Sequence, residues 1–514
     1  MIYPIGIQDF ESLRGDGYVY VDKTEHIYRL ATTGRYYFLS RPRRFGKSLL
    51  LSTIEAYFSG KRELFDGLAI AEKEKEWTEY PILHIDLNTA KYDMPESLLN
   101  VLNDTLAKWE NEYGTSPTEV TPELRFKGII RRAFEQTGRR VVILVDEYDK
   151  PMLQAIDNEK LQDEYRNTLK AFYSVLKTQD RYIRFALLTG VTKFGKVSVF
   201  SDLNNLMDIS MDERYIDICG ITEDEIHKYF DTNVAELAGK KGLEKEECYS
   251  HLKKLYDGYH FNDGTVGLYN PFSLLNTFAK MKFGSYWFET GTPSFLVHLL
   301  KQADYDLNNL QEEEVETDIL NSVDSMSKNP IPVIYQSGYL TIKGYDEEFD
   351  LYRLGFPNDE VETGFIRYLL PMFTPVNKNR SKFFISNFVN DVRSGRPGAF
   401  MERMHSFFAD GDYRVAGKME IYFQNAMYLV FKMMGFYTDV ERATSRGRID
   451  VTIKTSDYIY VMELKLDGTA DEALRQIEDR GYAAPFAADE RTVYKIGVNF
   501  SSQTRGIEEW KIKE

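Results

Sequence analysis

Hydrophobic positions along this chain follow two rhythms. Unbroken apolar runs occur at Tyr36-Tyr37-Phe38-Leu39 and Val141-Val142-Ile143-Leu144-Val145, and runs with one polar interruption at Ile82-Leu83-His84-Ile85 and at Ile183 to Leu188, where Arg184 intervenes. Such runs predict strands buried on both faces, and the polar residues that follow, Asp146 with Glu147 and Thr189, fall at C-terminal strand ends. Between the runs the apolar spacing turns helical: Leu50, Ile54, Tyr57 and Phe58, then Leu98, Val101, Leu102, Leu106 and Trp109, then Leu161, Tyr165, Leu169, Phe172, Tyr173 and Leu176. Strands alternating with helices imply a parallel sheet covered on both faces. A short alternating stretch, Tyr18 to Val21, predicts a further strand running into a helix cap at Asp22 or Thr24. His84 reads as a core or edge histidine rather than a catalyst.

After about residue 221 the pattern changes. Glu223 to Tyr229, Leu252 to Tyr259 and Phe272 to Phe278 are helical and aromatic, and Tyr256 to Phe261 and Tyr269 to Phe272 read as packing and turns. We expect a helical middle region acting as a lid. Acidic runs at Asp304 to Glu316 and Asp346 to Asp350 mark solvated faces or loops. From about Pro375 a last segment opens. Glu420, Phe423, Met427, Leu429, Val430, Phe431 and Met434 form an apolar helix ending at Gly435. Then Gly447 to Lys454 and Tyr458 to Lys465, flanking Ser456-Asp457, predict a β-hairpin.

Composition narrows the class. A chain of 514 residues exceeds one ordinary core, and 43% hydrophobic with 28% charged residues is globular. We expect domains at 1–220, 221–375 and 376–514. Two cysteines and 7 histidines, without CxxC or HxxxH spacing, argue against a disulfide framework and a zinc site. No apolar run is long enough to span a membrane, and Met1-Ile2-Tyr3-Pro4 does not begin a signal peptide, so a cytoplasmic protein is expected. The formal charge of −16 repels nucleic acid at long range, so any such contact needs local basic residues or bound metal.

Two stretches carry chemistry. Arg43-Arg44-Phe45-Gly46-Lys47-Ser48 follows the first strand and opens a helix, whose free N–H groups would face an anion. Lys47 would reach the β- and γ-phosphates of ATP, and the Ser48 hydroxyl would hold Mg²⁺, as in a P-loop. The usual spacing asks for glycine where Arg41 stands, and Gly-Lys-Ser alone also suits an ordinary helix start. Asp146 supplies the partner: it would hold the same Mg²⁺, with Glu147 as general base on the attacking water. Thr189 would sit beside the loop and orient that water.

The hairpin is the second stretch. Counting outward from Ser456-Asp457 pairs Thr455 with Tyr458 and sets Asp450 opposite Glu463. Opposed residues share a face with Cβ atoms roughly 5 Å apart, so two carboxylates there repel unless a cation lies between them. Oxygen ligands of this kind suit Mg²⁺ or Mn²⁺ acting on a phosphodiester, with Lys465, two residues on and on the same face, placing water or stabilising developing charge. Glu-x-Lys by itself equally describes an exposed strand ion pair. Arg442, Arg446 and Arg448 add local positive charge, whereas Glu420 reads as a surface helix carboxylate rather than a further ligand.

These segments resemble a large bacterial family of AAA-ATPase-like proteins with a C-terminal PD-(D/E)XK nuclease domain. The likeness lies in Tyr20 to Thr24, Arg41 to Ser48, Val145 to Asp149 and Leu188 to Phe194, then Gly447 to Asp450, Glu463 to Lys465, Gln476 and Tyr482. It implies an α/β fold: a P-loop NTPase parallel-sheet domain, a helical middle region and a C-terminal α/β restriction-endonuclease-like domain. It also implies that Arg41 is normal for the loop, that Thr189 is a sensor, and that Asp450, Glu463 and Lys465 are catalytic with Gln476 and Tyr482 supporting them. Arg43 and Arg44 would neutralise phosphate charge, or form a solvated basic turn. The resulting expectation is an ATP-hydrolysing enzyme coupled to a Mg²⁺- or Mn²⁺-dependent nuclease whose nucleotide state gates its action on nucleic acid, DNA being the favoured reading of the substrate and RNA the other. A homo-oligomer is compatible with it, since AAA-like domains often form rings, but no arginine finger supplied in trans can be picked out and the oligomeric state stays open; no membrane partner is expected. Two alternatives stand beside it: a nucleotide-dependent switch whose C-terminal module binds nucleic acid or partners without cutting, and a scaffold with neither site active.

Overall fold

The structure is a computed structural model describing residues 1–193, 205–290, 294–311, 313–320, 329–373, 381–409, 419–435, 437–445, 448–504 and 506–514. Its contacts divide it into two compact units, Met1–Leu299 with Gln311–Val361, and Leu300–Leu310 with Glu362–Glu514. The first unit thus takes in both the predicted sheet and the helices after residue 220.

The first unit is built on a five-stranded sheet, ordered β2-β3-β4-β1-β5, from β1 (Tyr36–Ser40), β2 (Ile82–Asp86), β3 (Val141–Asp146), β4 (Ile183–Gly190) and β5 (Met207–Asp208). Every pairing is parallel. β1 and β3 are buried along their whole length, as unbroken apolar runs require when helices cover both faces. The polar ends Ser40, Asp86, Asp146 and Thr189 therefore collect along one edge of the sheet, where ligands of open α/β sheets bind. The helix Lys47–Phe58 is apolar on more than one side and buries Leu50, Leu51, Ile54, Tyr57 and Phe58.

Residues Tyr18 to Val21 do not form the expected strand. Val19 and Val21 instead pack against a cluster built by the helices Glu223–Lys241, Lys245–Tyr256 and Pro271–Lys280, whose core includes Phe230, Leu252, Tyr256 and Phe278. The helix beyond this stretch begins at Thr24 with Lys23 at the N-cap and no capping bond from that side chain, so neither expected residue is the cap; Asp22 Oδ1 accepts from the Thr24 N–H at 2.9 Å in the turn just ahead. Beside the helices of the middle region lies a small antiparallel sheet, ordered β6-β8-β7, made of β6 (Glu313–Glu316), β7 (Thr341–Asp346) and β8 (Leu351–Gly355), which the helical pattern had not indicated.

His84 lies on the outer strand β2, its Nδ1 2.7 Å from Glu55 Oε2. Burial pulls its pKa down, but the Glu55 carboxylate outweighs this and the net direction is upward. A raised histidine pKa adds stability that is complete below the ordinary value of 6.5 and lost as pH rises through the folded-state value. Denaturant titrations of wild type and His84→Gln at pH 5.5 and 8.5 should therefore show a stability gap that narrows at the higher pH.

The second unit carries β9 (Asp439–Ser445), β10 (Arg448–Lys454), β11 (Tyr458–Leu466), β12 (Thr492–Ser501) and β13 (Gly506–Lys513), ordered β13-β12-β11-β10-β9. Only β11 and β12 run parallel; the helix Ala470–Asp479 makes the crossover between them. The helix Met419–Gly435 precedes the sheet, with Ala426 to Phe431, Met433 and Met434 all buried, as its unbroken apolar sequence demands. Among the described residues, no helix is long and apolar enough to cross a membrane.

Candidate functional site

At the C-terminal edge of the parallel sheet, Ser48, Asp146 and Thr189 meet. Asp146 Oδ2 accepts from the Ser48 hydroxyl at 2.5 Å, and Oδ1 accepts from the Thr189 hydroxyl at 2.8 Å. Strand order explains the geometry: β4 lies between β1 and β3, so Thr189 stands between the carboxylate and the loop that follows β1. Lys47, 4% exposed, donates to the carbonyl oxygens of Arg41 (3.0 Å) and Pro42 (3.4 Å), and its Nζ lies 3.1 Å from Glu147 Oε1. An ammonium, a hydroxyl and a carboxylate grouped at a helix start fit a polyphosphate with a divalent cation. The loop itself turns through positive φ at Arg44 (67°) and Gly46 (97°), the backbone alternation that turns successive N–H groups into an anion-binding concavity.

The residues Arg43 to Phe45 divide. Arg44 stacks on Phe272 at 5.1 Å, Arg43 is half-buried, and the Phe45 ring is buried edge-on against Tyr259 (4.8 Å) and Phe261 (5.7 Å). Only the backbone of Phe45 is therefore available to a ligand in the loop. Arg41, at the position where glycine is usual, is 1% exposed. Its guanidinium donates to the carbonyls of Ser40 (2.9 Å), Ser210 (2.7 Å), Tyr215 (3.3 Å) and Ile216 (3.1 Å) and lies 4.0 Å from the Phe261 ring centre. Burial draws its pKa down to about 10, which still leaves it charged at neutral pH. Arg41 thus serves as an internal anchor of the loop. An apolar cavity of about 100 Å³ opens beside Gly46, lined among others by Tyr20, Leu49, Thr53, Ile221 and Leu275.

Asp149 matters more than its sequence indicated. Fully buried, it accepts at Oδ2 from the N–H of Val191 (3.0 Å), the N–H of Thr192 (2.6 Å) and the Thr192 hydroxyl (2.6 Å). These bonds hold the turn just beyond Thr189, while burial pushes the Asp149 carboxyl upward against them. Its place in the Val145 to Asp149 stretch was the available signal. Of the stretch Leu188 to Phe194, Phe194 lies outside the described residues.

In the second unit the hairpin closes as the turn length predicts, with the Thr455 N–H on the Tyr458 carbonyl at 2.8 Å. The β10–β11 ladder pairs Asp450 directly with Glu463, and Arg448 with Lys465. Glu463 has no exposed surface, and its Oε1 lies 2.9 Å from Lys465 Nζ. Lys465 Nζ also donates to Gln476 Oε1 on the crossover helix. Tyr482 joins the apolar cluster of Ile459, Val461 and Ile477. The structure therefore brings Glu463, Lys465 and Gln476 together and sets Asp450 across from them in register. The side chains of Glu420, Arg442, Arg448 and Asp450, and all of Arg446 and Gly447, lie outside the described residues. A fully buried carboxylate facing a paired aspartate position is an oxygen donor set suited to a hard divalent ion. Among the described residues no three His, Cys, Asp or Glu side chains converge.

Comparison with known proteins agrees with this division. Residues 4–200 match the family described as Predicted AAA-ATPase, and residues 418–510 match the PD-(D/E)XK nuclease superfamily. A relative from Azotobacter chroococcum mcd 1, named "Uncharacterized protein in vnfD 5'region", is 36% identical over 517 residues, covering 98% of this chain and 97% of its own. Matched along nearly its whole length, with an ATPase-like sheet before a nuclease-like one, the chain belongs to the family of predicted AAA-ATPases that carry a C-terminal PD-(D/E)XK nuclease domain.

Proposed function

We propose that this protein binds and hydrolyses ATP at the edge of its parallel sheet, and that nucleotide state gates metal-dependent cleavage of DNA by the C-terminal sheet. The observation that carries the reading is the pairing of Asp450 with a wholly buried Glu463 that sits 2.9 Å from Lys465. Sequestering a carboxylate from water is costly, and a surface ion pair would not need it. Asp450 and Glu463 would hold Mg²⁺ or Mn²⁺, which when bound supplies Lewis-acid polarisation of the phosphodiester and an activated water. Lys465, oriented by Gln476, stabilises the negative charge that develops on the phosphate oxygens.

At the other site, Lys47 takes the β- and γ-phosphates, Ser48 and Asp146 hold the nucleotide's Mg²⁺, and Glu147 accepts the proton of the attacking water. Thr189, already bonded to Asp146, orients that water, and Arg44 adds positive charge beside the loop. The cavity next to Gly46 suits a nucleobase, being mostly apolar and adjacent to the phosphate loop. Two buried free cysteines, Cys219 and Cys248, support a reducing compartment such as the cytoplasm.

The test is a cleavage assay on linear and circular duplex DNA with Mg²⁺ or Mn²⁺, with and without ATP, comparing wild type with Lys465→Ala. Wild type should cut only with metal, at a rate that ATP changes several-fold, and Lys465→Ala should leave both substrates intact. A wild-type protein that binds duplex in Mn²⁺ yet cuts neither substrate would instead be a nucleotide-dependent switch with a non-cutting grip.

A further inference from the structure

The loop from Arg41 to Phe45 touches the middle region at every residue. Phe261 covers the Arg41 guanidinium at 4.0 Å. Gly338 packs on Pro42 so closely that a Cβ added there would fall 2.6 Å from the proline Cβ. The Trp287 indole N–H donates to the Arg43 carbonyl at 2.9 Å, Phe272 stacks on Arg44 at 5.1 Å, and Tyr259 and Phe261 enclose the Phe45 ring. In a trans peptide the C=O and the following N–H point opposite ways. Holding the Arg43 carbonyl on Trp287 therefore turns the Arg44 N–H away from Trp287. The same peptide leads into Arg44, whose φ of 67° is sterically costly for a residue with a Cβ. Such a conformation persists only where surrounding contacts impose it.

Trp287 is itself held rigidly. It is 2% exposed, its backbone N–H donates to Glu360 Oε1 (2.8 Å) and Ser273 Oγ (3.1 Å), and its ring packs on Tyr339 at 5.1 Å. We infer that Trp287 is a positioning residue of the nucleotide site: through the Arg43 carbonyl it imposes the strained turn at Arg44 that shapes the phosphate cradle. This inference rests on the nucleotide reading above. It makes the middle region a fixed wall of that site, in place of a lid that merely opens and closes over it.

Full-length wild type, Trp287→Phe, Arg44→Gly, the Trp287→Phe/Arg44→Gly double variant and Lys47→Ala would be compared by ATP binding, steady-state ATPase kinetics and thermal melting. Trp287→Phe retains a ring and loses the N–H. It should raise KM for ATP roughly fivefold to tenfold, the worth of one hydrogen bond, with kcat changed less than about twofold. Glycine adopts positive φ freely, so in the Arg44→Gly background the Trp287→Phe effect should shrink to within about twofold. A Trp287→Phe protein with wild-type KM overturns the inference. So does a KM effect of equal size in both backgrounds, which would mark Trp287 as packing alone. If wild type binds ATP and Lys47→Ala does not, either of these results removes the positioning role and leaves the nucleotide site standing. If wild type fails to bind ATP, the nucleotide reading falls and this inference falls with it.

Discussion

Glu463→Gln should lower metal-dependent DNA cleavage by roughly 1,000-fold while leaving the melting temperature unchanged or raised. The substitution keeps the side chain's shape and removes its charge. Glu463 is completely buried and paired in register with Asp450, so two acidic positions face each other across the β10–β11 ladder. Neutralising one lowers the like charge expected of these two register positions, and Lys465, which loses its 2.9 Å ion pair with Glu463, keeps a partner in Gln476. A carboxylate retained for packing would behave oppositely, its loss costing stability and sparing activity. Single-turnover cleavage at saturating Mg²⁺, read beside differential scanning calorimetry, separates the two. A variant that cuts at the wild-type rate, or one that loses activity only in step with unfolding, would remove Glu463 from the chemistry.

Lys47→Ala should reduce ATP turnover by at least roughly 100-fold and abolish the effect of ATP on cleavage. Lys47 is the cation that joins the two arms of the site. It spans from the loop carbonyls of Arg41 and Pro42 to Glu147, whose own φ of 53° directs the chain just after β3. Without that ammonium, the site would lose the cation lying between the loop carbonyls and Glu147, where charge would gather on the phosphates as the terminal bond breaks. Ser48→Ala provides the internal contrast. It removes a hydroxyl bonded to Asp146 and should show itself mainly as a higher Mg²⁺ requirement. Phosphate release measured over a Mg²⁺ titration for both variants checks the assignment. Equal turnover in wild type and Lys47→Ala would contradict it.

Local pattern alone determined a good part of this molecule. The apolar runs ending at Asp146 and Thr189 could be read as buried parallel strands, because a strand covered on both faces is apolar through its middle, Val141 to Val145 and Phe185 to Leu188, and turns polar at its end. The pairing of Asp450 with Glu463 was equally local, since a two-residue turn and a period of two leave one register open. What periodicity cannot express is which element lies next to which. The insertion of β4 between β1 and β3, which sets Thr189 against Asp146, is a matter of sheet order. So is the fate of Tyr18 to Val21, whose alternation suits a strand but meets helices instead of a sheet edge. Arg41 looked like a missing glycine because its carbonyl ligands come from Ser210, Tyr215 and Ile216, far along the chain. Trp287 gave no signal at all, standing 244 residues from the carbonyl it holds. Spacing along a chain selects the type and facing of each element, whereas contacts between distant segments form only when the hydrophobic faces so specified are packed together.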